Sequence, residues 1–281
     1  MRTAENGDIQ DPWPNHVLQR TGHAIMVFRV LTSGPREPAA VRVFGLKEGS
    51  ASAAARGVIP LNESRWLSNT DPQEMLLFLR DRSERKRRLF ACACCRRVWR
   101  LLDSNHRMAV EVAEKFADGL ADEDERSAVA YLVDDDEVDY AELESPKRLA
   151  EVAASWAVQS DQECLEDGVI DPDTEDCAIL AAQSAVSAVG AKKRETAAQC
   201  ELLRDIFGNP FRQPRLKKSW RTTAVVDIAS EIYDEHAFGR LPELAVALQE
   251  AGCDNNEVLE HCRNGGPHVR GCWVVDLVLG M

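Results

Sequence analysis

At 281 residues with a formal net charge of −13, the chain is long enough for one large core or two modest ones. It is acidic enough to repel nucleic acid and anionic membranes in general. Aromatics make up only 6% of a sequence rich in Ala, Leu, Glu and Arg, which favours helices over sheets and predicts an all-α fold. The nine cysteines are odd in number, most sit in helix-like sequence, and no secretory signal precedes them. A disulfide framework is therefore not expected, and a reducing cytoplasm is the expected compartment. The apolar run from Ala24 to Phe28 is broken by Arg29 and is too short to cross a bilayer, so no membrane partner is expected.

Residues 1–62 lack a helical period. Two short apolar runs, Ile25–Leu31 and Val41–Leu46, could form a weak hairpin, and Gly49 to Gly57 has linker composition. This part is expected to be a poorly ordered extension or a misassigned start, with one helical domain over 63–281. Order begins near Ser64. Asp71, Pro72 and Glu74 mark a helix start. A helix from about Glu84 to Leu102 follows. At 100° per residue it places Ala91, Cys94, Cys95, Val98, Leu101 and Leu102 on one face, Arg96, Arg97 and Arg100 opposite, and Cys92 at the edge.

Further helices are predicted from about Asn105 to Ala117 and from Pro146 to about Gln159. The stretch 122–144 between them is very acidic and is given no helix, and Asp134-Asp135-Asp136-Glu137 within it is expected to be a solvated loop. Gly168 to Asp173 is a break. Thr174 to Phe207 is one long helix or two joined near Gly190, stopped by Gly208-Asn209-Pro210. Thr223–His236, Leu241–Glu250 and a segment opening at Asp254 and running to about Cys262 complete the helices. The apolar tail Cys272–Leu279 is a buried helix or a strand. The expected total is eight to ten helices.

Three blocks stand out: Leu89-Phe90-Ala91-Cys92-Ala93-Cys94-Cys95-Arg96-Arg97, Leu203-Arg204-Asp205-Ile206-Phe207-Gly208-Asn209-Pro210-Phe211 and Gly266-Pro267-His268-Val269-Arg270-Gly271-Cys272-Trp273. Over about residues 64–281 the chain resembles a bacterial helical family with these blocks in this order. No activity is established for that family, so the resemblance assigns no functional residue. It implies only that the sequence opens near Ser64 and that residues 1–62 are an extension or a misassigned start.

No phosphate loop, nucleophile elbow or His-Glu-x-x-His pair is present, so no catalytic residue is assigned and an enzyme is not favoured. Cys92 is a possible reactive thiol, with Arg96 one turn away. Buried cysteines more often serve as small core residues, however, and redox pairs work at a helix N-terminus rather than inside a helix. The group His261, Cys262, His268 and Cys272 offers nitrogen and sulfur from two short segments, as zinc requires, and Cys253 is an extra candidate. Against zinc, the spacing matches no standard module, and the bland alternative makes His268 and Arg270 polar loop contacts. No cofactor is therefore expected, with zinc kept as the alternative.

Arg96, Arg97 and Arg100 belong to a basic run over 80–100 that could bind an anion or nucleic acid. A solvated or internally neutralised face is the simpler expectation. The leading expectation is a non-enzymatic helical interaction or scaffolding module with an unidentified protein partner. The alternatives are a metal- or thiol-dependent protein using the C-terminal His/Cys group, and a nucleic-acid binder using the basic helix.

Overall fold

The computed structural model describes residues 61–134, 145–166, 176–212 and 214–281. The hairpin and linker expected within 1–62, the break at 168–173 and the acidic loop beyond Asp134 lie outside these residues. All regular structure among the described residues is helical: α1 (Glu63–Ser68), α2 (Pro72–Phe78), α3 (Glu84–Arg97), α4 (Ser104–Ala117), α5 (Glu123–Val133), α6 (Pro146–Val158), α7 (Asp161–Glu166), α8 (Cys177–Ala188), α9 (Lys192–Phe207), α10 (Thr223–Asp234), α11 (Leu241–Glu250), α12 (Asn256–Arg263) and α13 (Trp273–Leu279). Three short 3-10 turns join them. Nine of the thirteen α-helices have eight or more residues, which gives the expected all-α fold. None is long and apolar enough to cross a membrane.

The caps explain the boundaries. Ser83, Asp103, Asp122, Ser145, Asp176, Thr222 and Asn255 each accept a backbone N–H from the first turn of the helix they precede, satisfying donors that have no partner within the helix. Asp122 begins α5 inside the acidic stretch, where the sequence reading places no helix. Glu123, Asp124 and Glu125 fill its first turn, where the helix dipole favours negative charge. The 174–207 segment is two helices, broken between Ala188 and Lys192 around Gly190.

The helices build two apolar cores. Residues of α1 to α9 form the first and residues of α10 to α13 form the second, joined by the segment after Gly208. Helix α3 is the axis of the first core and packs against α4, α6, α8 and α9. Its side chains from Arg87 to Cys95 are all buried, so it is a central helix rather than a one-sided amphipathic one. Cys92 is accordingly not at an edge, because α4 covers that side and Val110 O lies 3.8 Å from its Sγ.

The two cores are pinned together by charge and by close backbone approach. Arg85 of α3 donates to Asp276 of α13 at 2.8 Å and to Asp118 at 2.8 Å. Tyr233 of α10 and Arg270 also donate to Asp118, at 2.9 and 2.7 Å. The three sequence blocks meet at this junction. A Cβ on Gly271 would lie 2.9 Å from Leu89 Cδ1, and one on Gly208 would lie 3.0 Å from Trp273 Cγ. Both glycines have positive φ, +89° and +63°, so their conformation and their contacts both exclude a side chain.

Candidate metal centre

Asp205, His261, His268 and Cys272 converge at the same junction, each offering one ligand atom, with all four atoms within 4.8 Å of one another. Asp205 comes from the last turns of α9 in the first core. It lies beside Leu202, Leu203 and Ile206 on the buried face of that helix. His261 comes from the last turn of α12, and Cys272 is the residue that caps α13. His268 lies on the loop between those two helices, which folds back onto α9.

The carboxylate of Asp205 is 4% exposed and organises the group. It accepts from His268 Nδ1 at 2.6 Å and from the Val269 backbone N–H at 2.9 Å, and His261 Nε2 lies 3.2 Å away. Burial alone would raise its pKa, but the contacts from His261 and His268 outweigh burial and hold it below the ordinary carboxylate value. For His268, burial opposes the charge, and the Asp205 carboxylate overrides it and raises the imidazole above its usual value. His268 Nε2 donates to Asn264 O at 2.8 Å, leaving Nδ1 facing the centre of the cluster.

His261 Nε2 lies 3.2 Å from Cys272 Sγ, while its Nδ1 accepts from Trp273 Nε1 at 3.0 Å. A neutral His261 therefore carries its proton on Nε2, shared between the carboxylate and the sulfur. Burial pushes the Cys272 thiol well above its ordinary pKa, so a thiolate there needs a cation beside it.

Three of the four residues singled out in the sequence thus come together, and the fourth does not. Cys262 is fully buried in the second core, and burial pushes its thiol up to about 12. One residue of helix turns the side chain about 100° from that of His261, which carries Cys262 away from the cluster. Cys253 is also buried in that core. Asp205 takes the fourth place. It was missed because it lies far away in sequence and is not a nitrogen or sulfur ligand. Its signal is an acid on a buried helix face between Leu202 and Ile206, which demands a partner.

Cys92 is fully buried, and burial raises its thiol well above the ordinary value, with Glu114 adding to the effect. This is the opposite of an activated thiolate. Arg96 makes a two-pronged pair with Glu114 at 3.0 and 2.7 Å, and Arg97 makes one with Glu195 at 2.6 and 2.9 Å. Both glutamates are buried, so these guanidinium groups neutralise acids of the fold from its surface; Arg97 and Arg100 are both exposed. No protein-family model, curated protein or solved structure matches the chain.

Proposed function

We propose that the chain is a metal-binding helical protein in which a zinc ion held by Asp205, His261, His268 and Cys272 ties the two helical cores together. The observation that carries this reading is the convergence of four ligands, two part-buried imidazoles, a buried thiol and a buried carboxylate, with their ligand atoms all within 4.8 Å of one another. Zinc accepts this mixture in a tetrahedral shell. Two of the surrounding contacts suit it. The Asn264 carbonyl accepts from His268 Nε2, and the Val269 N–H holds the second oxygen of Asp205, as outer-shell partners of metal ligands do.

Four protein ligands fill a tetrahedron and leave no open position for a substrate water, so the role is structural rather than catalytic. The ligands come from α9 on one side and from α12, the following loop and the start of α13 on the other. Binding free energy at this point therefore becomes docking free energy between the cores. Coordination through His261 Nε2 would require that ring's proton on Nδ1 and so would break the hydrogen bond from Trp273 Nε1, which would make Trp273 fluorescence a reporter of loading.

The test is metal analysis of the purified full-length protein, followed by chelation. The reading expects about one equivalent of zinc, a lower thermal midpoint on chelation and a change in Trp273 emission that zinc restores. Absence of bound metal after purification and reconstitution with zinc, together with a chelator-insensitive midpoint, refutes it and leaves the cluster as a hydrogen-bonded hub.

A further inference from the structure

The first core holds a second arrangement of sulfur, remote in sequence from the four metal-site residues and independent of the metal reading. Cys177 Sγ lies 3.6 Å from Cys164 Sγ, and both cysteines are buried, at 6% and 4% exposure. Cys164 belongs to α7 and Cys177 is the first residue of α8, so the pair ties the two ends of the segment 165–176.

The corner is held from several directions. The Cys177 backbone N–H donates to Asp161 Oδ1 at 2.8 Å, and the N–H of Cys164 donates to Ser160 O at 3.1 Å. Arg87 of α3 pairs with Asp161 and lies 3.1 Å from Asp176. The two sulfurs therefore meet at fixed backbone positions rather than on free loop ends. A covalent bond needs them to close from 3.6 Å to about 2.05 Å.

We infer that Cys164 and Cys177 form a reversible intramolecular disulfide when the protein meets a peroxide. The thiolate of one cysteine attacks hydrogen peroxide, which breaks the O–O bond. It becomes a sulfenic acid, and hydroxide leaves to take up a proton as water. The neighbouring sulfur then attacks the sulfenic sulfur, the S–S bond forms, and a second water leaves. Two thiols are oxidised by two electrons in total, one peroxide is reduced to two waters, and a dithiol reductant reverses the bond. Contact between the sulfurs directs the sulfenic acid to its neighbour before a second peroxide can oxidise it further. The contact with Cys164, and then burial, raise the Cys177 thiol well above its ordinary pKa, so little thiolate is present at neutral pH and the bond forms slowly.

The test uses the full-length protein treated with hydrogen peroxide, alkylated and digested with trypsin. The peptide 149–192 contains Cys164 and Cys177 and no other cysteine. It should appear unalkylated and lighter by two hydrogens, and treatment with a dithiol should restore two alkylated cysteines. The oxidised protein should melt at a higher temperature than the reduced one, because the bond closes a loop in the unfolded chain. In Cys164→Ser the two-hydrogen loss and the stabilisation should both vanish. Recovery of the peptide with both thiols free would overturn the inference, as would sulfinic acid on each cysteine separately or cross-linking between chains.

Discussion

Replacing Asp205 by Asn changes almost no volume and removes the charge that holds the cluster. The wild-type carboxylate is 4% exposed and accepts from His268 Nδ1 and from the Val269 N–H. An amide has one acceptor oxygen and one donor nitrogen, so it cannot accept at both positions. One of these donors is left facing an NH2 group. A buried donor without an acceptor costs about 1–3 kcal/mol. Removing one partner of a buried charged pair costs about 3–5 kcal/mol. The two overlap because they concern the same contacts, so the expected loss is about 3–4 kcal/mol, a large share of the roughly 5–15 kcal/mol of a typical domain.

Urea denaturation, followed by far-ultraviolet circular dichroism with and without chelator, measures this loss. On the zinc reading, metal at about a thousandfold over its dissociation constant should add about 4 kcal/mol to the wild type, which chelation should remove. Asp205→Asn should start low and respond little to chelator. A variant within about 1 kcal/mol of the wild type would refute the claim that the carboxylate organises the junction. A variant that loses stability and still binds one equivalent of zinc with wild-type affinity would refute its place among the ligands.

Gly208→Ala should destabilise by about 3 kcal/mol in the same assay, since φ is +63° with ψ −145° and the new Cβ would meet the Trp273 ring at 3.0 Å. A loss below about 1 kcal/mol would show that the ring moves aside freely. Arg97→Ala should cost about 2–3 kcal/mol, because it strands buried Glu195, while exposed Arg100→Ala should stay within about 0.5 kcal/mol. Equal effects of the two on stability, or an equal loss of phosphate-polymer binding, would favour an anion-binding face instead. Cys262→Ala should lower stability by about 1–2 kcal/mol through its small cavity and leave zinc content unchanged, which atomic absorption can check.

Helix positions were legible where caps and breakers coincide with apolar spacing. Leu241–Glu250 is found with the bounds read from sequence, and Gly208 ends α9 as expected. Helix α5 was hidden because its first turn is acidic. Arg126, Val129, Ala130 and Val133 nevertheless repeat at helical spacing and are buried, which outweighs the loop-like composition. The one-sided reading of α3 failed for a related reason. Arg87 and Arg88 are buried because Asp161, Asp176 and the carbonyls of Ala157 and Gln159 receive them, and a helical projection cannot show such partners. In the candidate centre, His261, His268 and Cys272 were legible as a group of ligand types near one loop. Asp205 required the three-dimensional return of that loop onto α9, and neighbouring positions on one helix, His261 and Cys262, could not be told apart by composition.

The central claim is that Cys272, and not Cys262, supplies the sulfur of a four-ligand metal centre. Absorption spectroscopy of the cobalt-substituted protein tests it most directly, because cobalt in a tetrahedral site gives visible bands and a thiolate ligand adds a sulfur-to-metal charge-transfer band. The wild type should show both at one cobalt per chain. Cys262→Ser should keep them, and Cys272→Ser should lose the charge-transfer band. A wild-type spectrum without thiolate absorption, or a charge-transfer band that survives Cys272→Ser, would contradict the claim.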